Sequence, residues 1–192
     1  SKILLTTLTK LLQNDLFGIE KYLSWGVDII WHEVTKSSDR EPLREEMMAH
    51  FKTRGIRNSL LDRAQVSAEE LLMNSIYDAP VDSDGNHVYN HLSRSVPIAL
   101  VPSQFATFRY ATDGIYLAIS VEDPFGSLSR TTLLKYIKSC YSGAPGSLNK
   151  DKGGAGRGLH LIIESADITV FNVKAKQRTE VICLWNIEDA AN

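Results

Sequence analysis

Hydrophobic positions recur along this chain in two periods, and the change from one to the other divides it into helical and extended stretches. In residues 3–13, Leu4, Leu5, Leu8, Leu11 and Leu12 fall at helical spacing and predict a helix with one leucine face. Residues 15–24 read as a further amphipathic turn or two, punctuated by Gly26. Residues 27–31 fit a short strand or a helical start. Residues 37–42 form a polar loop, with Pro42 suited to the first turn of a helix over 43–53 that stops near Gly55. The longest helical period covers 58–79, where Leu60, Leu61, Ala64 and Leu71 keep one register and Pro80 closes it. Ser67 and Glu70 spell a capping box, which would start the helix at Ser67. The unbroken period instead places the start near Ser59.

Period-two alternation appears later. Residues 104–111 and 115–121, joined by a Thr112-Asp113-Gly114 turn, predict a hairpin. Ile115, Leu117, Ile119 and Val121 share one side, so one face of it is expected to be buried. Residues 129–141 read as a helix, 159–165 as a short one, and 168–173 with 179–187 as a second hairpin. Val181, Cys183 and Trp185 alternate into the core. Between the last two helices, residues 144–152 are small, polar and turn-rich, which suits a lid carrying Lys150 and Lys152.

Composition narrows the class without naming it. The 192 residues are 43% hydrophobic and 23% charged, as in an ordinary globular protein. A net charge of −2 gives no global electrostatic case for nucleic acid or an anionic membrane. No apolar run approaches a membrane span, and no signal-peptide pattern is present. Two cysteines, Cys140 and Cys183, make no disulfide framework and lead us to expect a cytoplasmic setting. A chain opening on Ser1 rather than Met is expected to be a piece of a longer one.

Four features carry candidate chemistry. Gly154, Gly156 and Gly158 run into the apolar segment that begins at Leu159. Bare backbone that approaches a ligand closely, followed by a helix N-terminus, makes a seat for phosphate; the competing reading is a loop that is merely glycine-rich. On the 58–79 helix Glu70, Asn74 and Asp78 stand at i, i+4 and i+8, one polar stripe. A carboxylate there can activate a nucleophile and an amide oxygen can ligate Mg²⁺; the competing reading is a solvated face. Asp123 ends a strand in Asp-Pro-Phe-Gly, either an adenine-reading acid or a turn closed by Gly126. Thr179 opens the last strand. Other candidates fail on spacing. His32-Glu33 lacks a phosphoacceptor context, Asp82, Asp84 and Asn86 do not match a calcium loop, and His87 with His91 has no third ligand.

This succession resembles the GHKL family of ATPases, which includes gyrase, a heat-shock chaperone, histidine kinases and mismatch-repair ATPases. The resemblance covers residues 58–187 and implies an α/β (α+β) two-layer sandwich, with a mixed, mostly antiparallel sheet under helices on one face, the Bergerat-type ATP-binding fold. It implies a domain over 58–192; the helical segment over 1–57 before it is not covered by these motifs and reads as packing or dimerisation surface. By resemblance Glu70 is the catalytic carboxylate and Asn74 the Mg²⁺ ligand. Asp123 reads adenine; Asp78, Gly126, Lys152, Gly154, Gly156, Arg157, Gly158 and Leu159 complete the ATP site, and Thr179 is its phosphate-side threonine. The chain departs from the family in having Phe125 and Ser127 where glycines are usual. The acid at Glu70 is most similar to the anti-sigma-factor serine kinases, which implies a sigma factor, an antagonist or a receiver-type signalling protein as partner and a homodimer through the N-terminal helices. The alternatives are an inert GHKL-like interaction module and the ATP-binding domain of a histidine kinase.

Overall fold

In the computed structural model, residues 2–141 and 155–188 are described, and they form an α+β fold. Five helices, α1 (Lys2–Gln13), α2 (Arg40–Thr53), α3 (Asn58–Met73), α4 (Arg130–Tyr141) and α5 (Ala155–Ser165), accompany one five-stranded sheet. Its strands are β1 (Ile30–Val34), β2 (Ala106–Thr112), β3 (Tyr116–Asp123), β4 (Ile168–Lys174) and β5 (Arg178–Asn186), in the order β1-β2-β3-β5-β4. All four pairings are antiparallel, so the expected mixed sheet is corrected. The reason lies in the connections. β2-β3 and β4-β5 are hairpins, and the long passage from β3 through α4 and α5 to β4 steps over one position, which β5 fills from the other direction.

The layers follow from alternation along β3 and β5. Leu117, Ile119 and Val121 of β3, with Cys183 and Trp185 of β5, pack with Met47 and Phe51 of α2, Leu60, Ala64, Leu71 and Leu72 of α3, and Ile162 of α5. Ala118, Ile182 and Leu184 point the opposite way and meet Ile19, Tyr22 and Leu23 around the 3₁₀ turn Ile19–Tyr22. Both faces of the central strands are therefore buried, not one. Ser-, Ala- and Ile-bearing alternates gave little polar contrast, which is why the second buried face was hidden in the pattern. β1 pairs with β2, and α2 contributes to the main core, so the packing runs continuously across position 57.

The helix over the site begins where the sequence pattern indicates, at Asn58, and Ser67 lies inside it. The Ser67 hydroxyl bonds that of Ser165 at 2.5 Å, so no capping box forms there. Asn74–Asp78 continues the helix as a π segment, with the Ala79 amide donating to the Asn74 carbonyl at 2.8 Å. α5 starts earlier than expected, at Ala155, and Gly156 and Gly158 lie within the helix instead of before it. Burial of Leu159 and Ile162 against the core offsets the roughly 1 kcal/mol that each helical glycine costs relative to alanine.

Candidate functional site

α3 and α5 run side by side, and their contact brings the polar stripe to the glycines. A methyl group built on Gly158 would overlap Glu70 Oε2 and come 3.4 Å from Asn74 Oδ1. Only a residue without a side chain fits there while Glu70 keeps its place. The carboxylate thus lies against the first turn of α5, where backbone amides have no helical acceptor of their own.

Asn74 and Leu159 also line a cavity of about 180 Å³, which extends between α3, α4 and the sheet to Asp123, Thr179, Val121 and Val181. Two of the sequence candidates sit together in its lining. Asp123 and Thr179 are directly paired across β3 and β5. Asp123 is 9% exposed, and one of its oxygens accepts the Phe125 amide at 2.9 Å. Burial pushes its carboxyl up from 3.8 to about 6, against the Phe125 and Gly126 amides and the nearby Thr179 hydroxyl, which favour the ionised form. That hydroxyl approaches the acid, yet it is buried and makes no hydrogen bond of good geometry among the described residues. Buried polar atoms are rarely left so, and this one lines the cavity. Thr179 therefore stands beside the acid in the lining of the same cavity.

Two further candidates, Asp78 and Gly126, take their geometry from local packing. Asp78 does line the cavity, but both of its oxygens accept from Arg94 at 2.7 Å. Burial raises the Asp78 carboxyl, and the Arg94 guanidinium counters that shift. Arg94 is held in turn over the Tyr77 ring, 5.0 Å from its centroid. Gly126, with φ +60°, has its Cα against the β4-β5 turn: a Cβ would overlap the Lys174 carbonyl oxygen and lie 2.9 Å from the Lys176 and Gln177 amides. It lines a second groove and not the Asp123 cavity. Its glycine is a packing requirement.

Gly156 is placed in the first turn of α5, as is the backbone of Arg157. Lys152 and Gly154, with the lid expected over 144–152, lie outside the described residues. The cavity also takes His87, Ser127, Leu128 and Tyr136 from the 82–96 loop, the segment after β3, and α4. None of these carried a motif, since single residues on loops and helix faces have no period to betray them. Among the described residues no group of three or more His, Cys, Asp or Glu is disposed to hold a metal, and no helix is long and apolar enough to cross a membrane. No protein-family model matches the chain, and no curated protein matches it.

Proposed function

We propose that this chain is a GHKL-type domain with the Bergerat ATP-binding arrangement, which binds Mg-ATP and passes its γ-phosphate to a serine of a partner protein. The observation that carries the reading is one cavity lined both by Asn74, which stands beside Glu70 and the side-chain-free Gly158, and by the buried Asp123–Thr179 pair. A buried acid beside a threonine hydroxyl suits the amino and ring-nitrogen edge of adenine. Bare backbone at a helix N-terminus suits the phosphates.

Mg²⁺ would take the Asn74 side-chain oxygen as its one protein ligand, completing its shell with phosphate oxygens and water, and would neutralise charge on the phosphates. Glu70 would accept the serine hydroxyl proton while that oxygen bonds to the γ-phosphorus. The bridging bond to the β-phosphate breaks as it does so, and ADP leaves. By the same resemblance the partner would be a sigma factor, its antagonist or a receiver-type protein, in the cytoplasm. A second reading, a nucleotide-binding module without turnover, is favoured by Phe125 and Ser127 standing where the family has glycines.

The test is thermal unfolding with Mg-ATP. A ligand bound only by the folded chain at a hundred times its dissociation constant raises stability by about 2.7 kcal/mol. No shift at millimolar Mg-ATP would remove both readings. A shift without phosphate transfer or release would leave the second.

A further inference from the structure

α1 turns its charge inward and its leucines outward. Leu4, Leu5, Leu8, Leu11 and Leu12 are 49–87% exposed, whereas Lys10 is 5% exposed. The Lys10 ammonium donates to the Tyr22 hydroxyl at 2.6 Å and to Asn172 Oδ1 at 2.8 Å. Both partners are neutral. The acid of this network, Glu180, is one residue removed. Asn172 donates to its Oε2 at 3.1 Å, and the same oxygen accepts the Gly18 amide at 2.8 Å. Among the described residues no carboxylate forms an ion pair with Lys10. A buried cation is ordinarily paired directly, because neutral acceptors do not repay its loss of water. Burial accordingly holds the Lys10 ammonium below its usual range, against the pull of the Glu180 charge.

Lys10 and Tyr22 line a groove of about 700 Å³ between α1, the edge strand β4 and the start of α4. Leu11, Leu16, Leu128, Leu133 and Val170 give it apolar walls. Its lining holds three basic residues, Lys10, Arg130 and Lys176, and no acidic one. Two donors in it lack an acceptor among the described residues. An ammonium has three N–H groups, and Lys10 spends two of them. The Tyr22 oxygen accepts from Lys10, which leaves its own proton to give. Burial, reinforced by the Glu180 charge, pushes the Tyr22 phenol up to about 12, so that proton is retained.

We propose that this groove binds a single-chain aliphatic carboxylate, one oxygen on the Lys10 ammonium, the other on the Tyr22 hydroxyl, and the chain along the leucines. Charge selects the head group. One buried cation and two donors match a monoanion with two oxygens, whereas a phosphate would bring a second charge and a third oxygen against apolar walls. Size selects one small molecule, since the volume falls in the range that encloses a single ligand. Among the described residues only Ser127, Leu128 and Ser129 line both this groove and the Asp123 cavity, so the head-group seat stands apart from the proposed nucleotide site.

Titration calorimetry of the 192-residue chain with octanoate, decanoate and dodecanoate tests this. One molecule per chain is expected, its dissociation constant falling about fourfold for each methylene added until the groove is filled. Decanol should bind about tenfold or more weakly than decanoate, since it lacks the charge. Lys10→Met and Tyr22→Phe should each weaken decanoate by about tenfold or more and leave decanol unchanged. Tyr22→Phe keeps the ring in the core, so it serves as the test if Lys10→Met does not fold. No binding of dodecanoate at millimolar concentration, equal affinity for decanol and decanoate, or decanoate binding unchanged in either folded variant would each overturn the proposal. So would tighter binding of decyl phosphate, which would assign the seat to a dianion, or uptake of several molecules per chain.

Discussion

Replacing Asp123 with Asn separates what this carboxylate costs the fold from what it offers a ligand. Burial, reinforced by the Glu122 charge, raises its folded pKa from 3.8 to about 6. The folded chain therefore holds more protons than the unfolded chain between about pH 4 and pH 6. Stability from this group is fully present below the unfolded value and is lost as pH rises through the folded one. A shift of about 2 units at about 1.4 kcal/mol each amounts to roughly 3 kcal/mol forgone at pH 8. Asn keeps an oxygen for the Phe125 amide, now 2.9 Å from Asp123, and carries no charge to desolvate. Urea unfolding should find Asp123→Asn more stable than the parent by about 2–3 kcal/mol at pH 8 and equal to it near pH 4. Two stability profiles that run parallel across that range would refute the reasoning. Taken with a loss of Mg-ATP binding, the gain would identify the acid as retained for recognition.

The same ionisation predicts that Mg-ATP affinity falls about tenfold between pH 7.5 and pH 5, where a group of pKa about 6 is mostly protonated; titration calorimetry at the two values checks it. Glu70→Ala should keep the Mg-ATP thermal shift and lose phosphate transfer by a factor of about 10²–10⁴, read by radiolabel transfer or phosphate release. Gly126→Ala, strained at φ +60° and meeting the Lys174 carbonyl, should cost about 2 kcal/mol or more and lower the melting temperature by roughly 4–8 °C.

Much of this architecture is legible in the sequence wherever burial is one-sided. α3 follows from its period, because it spends one clear face on the core, and β2 from its alternation of buried and half-buried positions. The start of α5 is not legible, since Gly156 and Gly158 argue against helix locally and only packing by Leu159 and Ile162 decides it. The π turn over Asn74–Asp78 is not legible either, since it carries no mark in the sequence. The period of α1 is plain while its orientation is not. What turns Lys10 inward is Asn172, 162 residues away. Thr179 and Asp123 read as separate weak signals until strand register joined them. Non-local pairing of this kind lies beyond any window on the chain.

Positions 70 and 158 occupy one parcel of space, so the tolerance of each is conditional on the other. A lost activity in Gly158→Ala would report a displaced carboxylate as much as an obstructed backbone. Pairing it with Glu70→Asp, one methylene shorter, distinguishes the two, and sequence variation at either site is best judged jointly.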